Sequence, residues 1–339
     1  MAETLQFTSK PASLRGVLRS DVPMARHVSW RAGGSADRVY VPADLPDFAA
    51  FLRATPRGEP GLVVGLGRTL LVRDGGFRGP VVLLHAVLSS VSLVPSANAG
   101  AHVDDAPVDV CFEAGVACPK VARFAAMHGL EGAEFLAGIP GTMGGALAMN
   151  AGCYGAQTWE RVMRATMVTR DGALVERMPD AFDLGYRHVA LAPAATTAKA
   201  GTNATTPATI STPPVLGEDE WFVGATMRLD AGDGARSRAR IKAFLSRRIA
   251  TQPLQQPNAG SVFRNPPGDH AARLIESCGL KGMAVGGAEV SARHANFIVN
   301  RGGATASDIE ALIVAVRERV RADTGIELVP EVRIVGERQ

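Results

Sequence analysis

The feature that most constrains the fold is the stretch over residues 129–155, GLEGAEFLAGIPGTMGGALAMNAGCYG. Eight of its 27 residues are glycine, yet the residues between them are mostly apolar, which is not the composition of a flexible linker. Glycines in an apolar setting indicate main chain that is buried, sharply turned or closely approached by another group. Ile139-Pro140-Gly141 predicts a turn, and residues 142–150 predict a helix whose first N–H groups attract an anion such as phosphate. Taken alone, this stretch is equally well explained as a tight turn between packed elements.

A second glycine turn lies upstream, where the apolar segment over residues 62–64 runs into Gly65-Leu66-Gly67. A single GxG is a weak signal, and its spacing is not the GxGxxG of a dinucleotide-binding βαβ unit. A strand, a glycine turn and an Ile-Pro-Gly turn about 70 residues later together favour two loops that close on one pyrophosphate.

Length, charge and cysteine usage restrict the class of protein. A chain of 339 residues is long enough for two or three domains, and a net charge of +3 gives no reason to expect nucleic acid or a membrane as partner. The four cysteines show no CxxC spacing and the seven histidines are scattered, so no metal site is predicted. The chain has no apolar core typical of a signal peptide and no run long enough to span a membrane, so we expect a cytoplasmic protein.

Hydrophobic periodicity predicts alternating strands and helices. The predicted strands are residues 36–41, 63–64, 80–85, 109–116, 221–229 and 296–300, with a hairpin that joins 162–170 to 173–178 through Asp171-Gly172. The predicted helices begin near Asp44, Pro119, Ala235, Ala271 and Ser307. Residues 192–214 are different, because 14 of these 23 residues are Ala or Thr without periodicity, which predicts a low-complexity surface insert.

Two of these helices carry more detailed predictions. In the helix over residues 235–250, an apolar face is predicted to be buried and the basic residues to be solvated, with a phosphate or nucleic-acid surface as the alternative. The apolar face is Ile241, Phe244, Leu245 and Ile249, and the basic residues are Arg236, Arg238, Arg240, Lys242, Arg247 and Arg248. The helix near Ser307 is predicted to have a capping box with Glu310 and to end at Gly325. Its predicted core stripe is Ile309, Leu312, Ile313, Val316 and Val320.

Further motifs occur in a defined order along the chain. They are SWRAGGSADRVYVP (29–42), the two glycine segments, Tyr186-Arg187, QPNAGSVFRNP (256–266), ARLIESCGLKG (272–282), GGAEVSARHANFIVN (286–300) and PEVRIVG (330–336). In this order they resemble the UDP-N-acetylenolpyruvoylglucosamine reductases, flavoenzymes of peptidoglycan precursor synthesis, over most of the chain. The compact stretch from Ser261 to Lys281 resembles the shorter-loop, type II branch of that family.

The resemblance implies an α+β fold with a two-part FAD-binding region of the PCMH or vanillyl-alcohol-oxidase type and a C-terminal α+β substrate-binding domain. The implied domains are residues 1–90 and 91–230, which bind FAD, and residues 231–339, which bind substrate. Non-covalent FAD, NADPH as co-substrate and a UDP-sugar as substrate are implied as well. We expect a cytoplasmic monomer with no nucleic-acid or membrane partner.

The implied reaction is reduction of an enolpyruvyl ether on a UDP-linked sugar, with a hydride delivered through FAD to the vinyl carbon distal to the carboxylate. Negative charge develops on the carbon beside the carboxylate, which must then be protonated. Arg187 matches the family's arginine that stabilises the enolate, Ser261 its proton donor and Glu331 its assisting acid. Taken singly, they are better explained as a surface charge, a turn residue and a salt-bridge partner; their joint occurrence in matching motifs favours catalysis.

The resemblance also places the FAD pyrophosphate on the main chain of the two glycine turns. The implied cofactor-binding residues are Gly65, Leu66, Gly67, Arg68, Thr69, Leu70, Gly138, Ile139, Pro140, Gly141, Gly144, Gly145, Asn150 and Arg333. The implied substrate-binding residues are Tyr186, Arg264, Asn265 and Lys281.

The chain departs from the family pattern in a few places. Gly67-Arg68-Thr69 stands where the family commonly has Gly-Ser-Asn, so main-chain contacts to FAD are expected to remain while side-chain contacts change. Arg264 replaces the usual lysine and Ser29 a common asparagine. Two other interpretations stay open: an FAD-dependent alcohol oxidase of the same fold, which does not explain the Ser261 and Glu331 motifs, and a sugar-nucleotide-binding protein that has lost its flavin.

Overall fold

The computed structural model of the protein describes residues 13–85, 87–95, 106–192 and 214–339. The predicted insert at 192–214 lies outside the described residues, apart from its two end positions. Among the residues described, none of the helices combines the length and hydrophobicity needed to cross a lipid bilayer.

The first part of the chain is a small α/β unit. Its elements are β1 (Val17–Pro23), β2 (Ser35–Val41), α1 (Leu45–Ala54), β3 (Leu62–Val64), β4 (Leu70–Val72) and β5 (Phe77–Leu83). Four strands form a mixed sheet in the order β1-β2-β5-β3, in which β5 is parallel to both of its neighbours. The predicted start of α1 is confirmed, since Asp44 caps it by accepting a hydrogen bond from Asp47 N.

Asp47 is the buried acid that holds this unit together. Its carboxylate accepts hydrogen bonds from the backbone N–H groups of Arg15, Gly16 and Ala43 at 2.8–2.9 Å and from the Tyr40 hydroxyl at 2.6 Å. Burial works to raise the pKa of this carboxyl, but the donors outweigh burial and hold the pKa below its ordinary value. One charged side chain thus anchors the chain before β1 to helix α1.

The strands of the second part are β6 (Val91–Leu93), β7 (Val108–Glu113), β8 (Leu130–Glu131), β9 (Gly152–Cys153), β10 (Ala156–Gln157), β11 (Val162–Thr169), β12 (Leu174–Arg177), β13 (Phe182–Gly185), β14 (His188–Leu191) and β15 (Glu220–Ala231). Six of them form an antiparallel sheet in the order β12-β11-β15-β7-β6, with β8 paired to the end of β15. The other four form two separate pairs, β9 with β10 and β13 with β14. The helices are α2 (Cys118–Met127), α3 (Met143–Ala148) and α4 (Gly234–Thr251). The predicted hairpin through Asp171-Gly172 is confirmed as β11 and β12.

Helix α4 packs on this second part, against α2 and the 3-10 turn Glu134–Gly138. Ser237 is buried at this contact, where its hydroxyl lies 3.0 Å from Leu130 O and 2.9 Å from Glu134 Oε1. This helix, which the boundary predicted near residue 231 assigns to the C-terminal domain, contacts mainly α2, the 3-10 turn and β8 of the second part, and the domain boundary stays a prediction.

The predicted buried face of α4 is wrong in part. Leu245 and Ile249 are 38% and 63% exposed. The packed side instead carries Ile241, Phe244 and Arg248, which are partly buried and follow one another at helical spacing. The reason is that Arg248 turns towards the interior, so the helix is rotated away from the orientation that hydrophobicity alone predicts.

The C-terminal part is a small α+β unit. Its elements are α5 (Ala271–Ser277), β16 (Ala284–Val285), β17 (Ala288–Val290), β18 (Ile298–Asn300), α6 (Ala306–Thr324) and β19 (Arg333–Val335). Strands β16, β17 and β18 form an antiparallel sheet in that order, and α6 packs on it. The predicted core stripe of α6 is confirmed in full: Ile309, Leu312, Ile313, Val316 and Val320 are all buried. The predicted end of α6 is also confirmed, since Gly325 is its left-handed C-cap with φ of 73°.

The predicted cap of α6 is wrong. Thr305 is the N-cap and forms the capping box with Asp308, whereas the predicted pair was Ser307 and Glu310. Both pairs fit the capping-box spacing, so the sequence offers two registers for the start of this helix.

Contacts with the first part of the chain decide between these registers. The Ser307 hydroxyl donates to Asp74 at 2.6 Å, and Arg73 Nε donates to Glu310 at 2.8 Å. Strand β19 pairs in parallel with β4 beside these contacts. The C-terminal part is therefore held against the first part by the β19–β4 pairing, by the Arg73–Glu310 ion pair and by the hydrogen bond from Ser307, near the start of α6, to Asp74.

Asp47→Asn is expected to destabilise the protein by about 2–3 kcal/mol, because the amide places an NH₂ group against backbone donors that require an acceptor. The folded-state pKa of Asp47 lies below the ordinary value of 3.8, so its stabilisation is present above that pH and is lost as the pH falls through the folded-state pKa. In urea unfolding, the free energy of unfolding should therefore be higher for the wild type than for the variant at pH 7, and this difference should become smaller below pH 3.8.

Asp171→Asn is the matched control. Its ion pair with Arg57 is exposed, with side chains 76% and 80% accessible, so the change in unfolding free energy should stay below about 1 kcal/mol. Equal losses for the two variants would contradict the role assigned to Asp47.

Candidate active site

A cavity of about 700 Å³ lies where the three parts of the chain meet. Its walls come from β3 and the turn after it, from residues 138–153, from the turn at residues 259–264 and from the chain around β19. The predicted site residues that line it are Gly65, Leu66, Gly67, Arg68, Thr69, Leu70, Gly138, Ile139, Pro140, Gly141, Gly144, Gly145, Arg187, Ser261, Arg264, Glu331 and Arg333. Two glycine turns about 70 residues apart in sequence thus border one space.

The first glycine turn joins β3 to β4 and is supported from behind by residues 27–29. Ser29 N donates to Gly67 O at 3.1 Å, and the Ser29 hydroxyl donates to Arg68 O at 3.3 Å. Gly67 has φ of 57°, and a Cβ there would lie 2.1 Å from the carbonyl oxygen of His27. Glycine is therefore required by both conformation and space.

The second glycine turn leads into α3 and corrects one prediction. The first N–H groups of this helix were expected to be available for an anion, but Met143 N donates to Val116 O and Gly144 N to Ala114 O, both at 2.8 Å. These carbonyls follow strand β7, so packing of α3 against that segment satisfies the donors. An anion at this turn would need other partners.

Space and unpaired donors in the cavity fit a large anionic cofactor. A Cβ built on Gly141 or Gly145 would meet no atom nearer than 3.8 Å, so a side chain at either position would project into the cavity. The Nε atoms of Arg68 and Arg264 are buried without a hydrogen-bond partner. The turns thus leave open room beside cationic groups, as a dinucleotide with a pyrophosphate requires.

The three predicted catalytic residues share this cavity. Arg187 Nε lies 3.2 Å from Glu331 Oε1, although its N–H is not aligned for a hydrogen bond, and Arg187 Nη2 donates to Gly152 O at 3.2 Å. The side chains of the ion pair are 18% and 9% exposed. The hydroxyl of Ser261 has no hydrogen-bond partner among the residues that the structure describes. A cation, an acid and a free hydroxyl therefore face the same volume.

Arg187 occupies a strained backbone position. It lies in the two-residue turn between β13 and β14 with φ of 53°, a region that residues other than glycine, asparagine and aspartate rarely adopt. Its contacts with Glu331 and Gly152 hold the side chain in the cavity. Strain of this kind persists where surrounding contacts fix a functional residue.

The environment of Glu331 changes its acidity. Burial raises the pKa of its carboxyl above the ordinary value, and the positive charges of Arg187 and Arg264 offset part of that rise. Glu331 therefore keeps its proton to higher pH than an exposed glutamate does, which suits a group that must hold or donate a hydrogen bond in a closed site.

Four predicted ligand residues do not line the cavity. Asn150 is buried and bonds to Gln157 and to backbone groups. Tyr186 is 51% exposed, Asn265 accepts a hydrogen bond from the first residue of α5, and Lys281 forms an ion pair within the C-terminal part. Their contacts to ligands stay predictions.

Four residues that line the cavity were not predicted as site residues. They are Arg248 and Gln252, at the C-terminal end of α4, and His188 and Trp221. Arg248 was grouped with the solvated basic residues. The signal that was available is its helical spacing from Ser237, a small polar residue that marks the packed side of α4.

No group of three or more His, Cys, Asp or Glu side chains within the described part of the chain is arranged to hold a metal ion.

Residues 36–177 match an FAD-binding domain family, and residues 252–335 match the family described as UDP-N-acetylenolpyruvoylglucosamine reductase, C-terminal domain. Fold, cavity and these matches define the class of protein: an FAD-dependent oxidoreductase with a two-part flavin-binding region. A relative from Nitrosospira multiformis named UDP-N-acetylenolpyruvoylglucosamine reductase is 56% identical over 332 residues, 98% of this chain and 92% of the relative. One of the same name from Methylococcus capsulatus is 50% identical over 99% of this chain and 98% of the relative.

The crystal structure of UDP-N-acetylenolpyruvylglucosamine reductase from Thermus caldophilus superposes with a TM-score of 0.69 at 27% identity, covering 95% of this chain and 99% of that chain. The chain belongs to the UDP-N-acetylenolpyruvoylglucosamine reductase family. The resemblance inferred from motif order and the predicted fold class are both confirmed, and FAD is the cofactor.

Arg187→Met is expected to raise the pKa of Glu331 further, because it removes a positive charge 3.2 Å from the carboxylate and leaves burial unopposed on that side. A ¹³C NMR titration of glutamate side-chain carboxyls measures this, with the Glu331 signal assigned by its loss in Glu331→Gln. Arg301→Met is the control, since Arg301 pairs with Glu289 instead. An unchanged Glu331 titration in Arg187→Met would contradict the proposed coupling.

Proposed function

We propose that the protein catalyses the NADPH-dependent reduction of UDP-N-acetylglucosamine enolpyruvate to UDP-N-acetylmuramate, a step of peptidoglycan precursor synthesis in the cytoplasm. The observation that carries this proposal is one cavity bordered by both glycine turns and by Arg187, Ser261 and Glu331. Relatives that share 50–56% identity over nearly the whole chain and carry the same reductase name support it. We further propose that the protein acts as a monomer and belongs to the shorter-loop branch of its family.

When bound, FAD supplies the transfer of a hydride from NADPH to the vinyl carbon of the substrate. The main chain at Gly65 to Leu70 would hold its pyrophosphate, whereas at the second turn, where Met143 N and Gly144 N are already bonded within the protein, side chains would take that role. Arg333 N donates to Thr69 O at 2.7 Å, and the Arg333 side chain lines the cavity, which would place its charge near the cofactor.

Arg187 and Glu331 would stabilise the charge that develops on the carbon beside the substrate carboxylate. The guanidinium remains charged throughout and can hold a carboxylate with two parallel hydrogen bonds. Glu331, whose pKa is raised, can present a proton to the enolate oxygen, so the charge on that oxygen is opposed from two sides. Burial of the pair strengthens both interactions relative to water.

Ser261 would donate the proton that completes the reduction. Its hydroxyl has no partner among the described residues and is free to orient towards a substrate carbon. A serine is a weak acid, but an enolate carbon is a strong base, and a water molecule can restore the proton afterwards. The product then gains one hydride and one proton across the former double bond.

Arg264 is the best supported of the predicted substrate contacts. It lines the cavity, and its Nε is buried without a partner, so an anionic group of the sugar nucleotide would satisfy it. Lys281 is paired with Glu276 and Asn265 caps α5, so each would have to exchange a protein contact for one with substrate.

An anaerobic titration tests the proposed function. NADPH should bleach the flavin absorbance of the purified protein, and the UDP-linked enolpyruvyl sugar should restore it without oxygen. Recovery only on admission of oxygen, with no response to the sugar nucleotide, would overturn the reductase assignment and favour an oxidase of the same flavin fold.

Ser261→Ala should leave the bleaching by NADPH unchanged and slow the recovery with enolpyruvyl substrate by about 10²–10⁴-fold, because it removes the proton donor alone. Stopped-flow absorbance measures the two half-reactions separately. Ser277→Ala, which removes a hydroxyl bonded within α5, is the control and should leave both rates unchanged. Equal slowing of both half-reactions in Ser261→Ala would rule out its assignment as proton donor.

A further inference from the structure

Arg68 lines the cavity with a charge that no neighbouring group neutralises. Among the described residues its side chain makes no hydrogen bond or ion pair, and its Nε is buried without a partner. Burial and, second, the nearby charge of Arg248 lower the pKa of this guanidinium to about 10. A charge withdrawn from water without a counter-charge is unfavourable, so its presence here indicates a site that binds an anion.

Arg248 reaches the same cavity from helix α4. Its Nη1 donates to Gly138 O at 3.2 Å, where the second glycine turn begins, and its Nε donates to Gln252 Oε1 at 2.9 Å. Helix α4 is fixed nearby by Tyr154, whose ring stacks on Phe244 with centroids 4.1 Å apart and whose hydroxyl donates to Phe244 O. Both hydrogen-bond partners of the Arg248 guanidinium, a backbone carbonyl and an amide oxygen, are uncharged, so its position is fixed while its charge is not balanced.

The carboxylates that line the cavity are already engaged. Glu220 pairs with Arg177, and Glu331 lies 3.2 Å from Arg187. In the described part of the lining, no acidic side chain is therefore left for Arg68 or Arg248. Two like charges that face one partly desolvated space require an anion with several negative oxygens.

We propose that Arg68 and Arg248 together bind the pyrophosphate of FAD, one guanidinium beside each glycine turn. Arg68 belongs to the first turn, and Arg248 is bonded to the second. The charges that act on Glu331 are those of Arg187 and Arg264, and neither Arg68 nor Arg248 is among them. The proposal depends on FAD as cofactor and not on the identity of the sugar nucleotide.

If Arg68 and Arg248 bind the pyrophosphate, their substitution affects thermal stability differently with and without FAD, which a purely structural role would not produce. In the protein without FAD, the two guanidiniums repel each other in a partly desolvated space, so removing one charge should leave the thermal midpoint of the apoprotein unchanged or raise it. The same change should weaken FAD binding, so the gain in thermal midpoint on adding FAD should shrink.

The experiment measures FAD affinity with apoprotein prepared from the purified holoenzyme, by quenching of flavin fluorescence. Arg68→Ala and Arg248→Ser should each raise the Kd for FAD by about tenfold or more, the effect of losing a charge-assisted contact. Arg68→Lys should retain most of the affinity and Arg68→Gln should not, because the contact depends on charge. Arg247→Ser, which removes an exposed charge from the neighbouring position on α4, is the matched control and should bind FAD as the wild type does.

The bound diphosphate could belong to FAD or to the sugar nucleotide. A second titration, in which UDP is added to the holoenzyme, distinguishes these two sources. Its affinity should change by less than about twofold in Arg68→Ala held at a saturating concentration of FAD. Wild-type FAD affinity in both Arg68→Ala and Arg248→Ser would overturn the proposal, as would Arg68→Gln binding FAD as well as Arg68→Lys does. A loss of UDP affinity with unchanged FAD affinity would assign the pair to a substrate diphosphate instead. None of these measurements uses NADPH or turnover, so they remain decisive if the proposed reaction is wrong.

Discussion

The parallel pairing of β19 with β4 is the interaction on which the site depends. It joins the end of the chain to the strand that follows the first glycine turn. Because side chains alternate along extended chain, Glu331 and Arg333 face the cavity while Val332 is buried in the C-terminal core. The same pairing brings Glu331 to Arg187, which arrives from the β13–β14 turn of the second part. Three distant parts of the chain must fold together before the ion pair exists.

The cavity concentrates positive charge that the overall composition does not reveal. The net charge of the chain is only +3, yet five arginines among the described residues line this one space, and the two glutamates described there are each paired. Those arginines are Arg68, Arg187, Arg248, Arg264 and Arg333. Charges in a partly desolvated volume interact more strongly than the same charges on a surface, so the cavity favours ligands rich in phosphate and carboxylate. A dinucleotide cofactor and a sugar nucleotide are ligands of this kind.

The sequence predicted what depends on local pattern or motif order, and missed what depends on contacts between distant parts. The core stripe of α6 follows from periodicity alone and is confirmed. The start of α6 could not be chosen, because two capping boxes fit and the bonds of Ser307 to Asp74 select one. The sequence marks the inward position of Arg248 only through its helical spacing from Ser237, because the bond that holds its side chain there is to the distant Gly138 O. The positions of Arg187, Ser261 and Glu331 came from the family resemblance, since each is unremarkable singly.

Arg68 illustrates how a cofactor site held mainly by main chain can vary. The conformation of the first turn is fixed by Gly67 and by Ser29 behind it, so the next side chain is free to change without altering the backbone. Without a bound anion, an arginine at that position adds an unfavourable charge beside Arg248; with a bound pyrophosphate, the same charge is favourable. A ligand that binds only the folded state raises the free energy of unfolding by an amount that grows with the ligand concentration relative to the Kd. The substitution therefore makes the fold of this chain more dependent on its flavin than a neutral residue would.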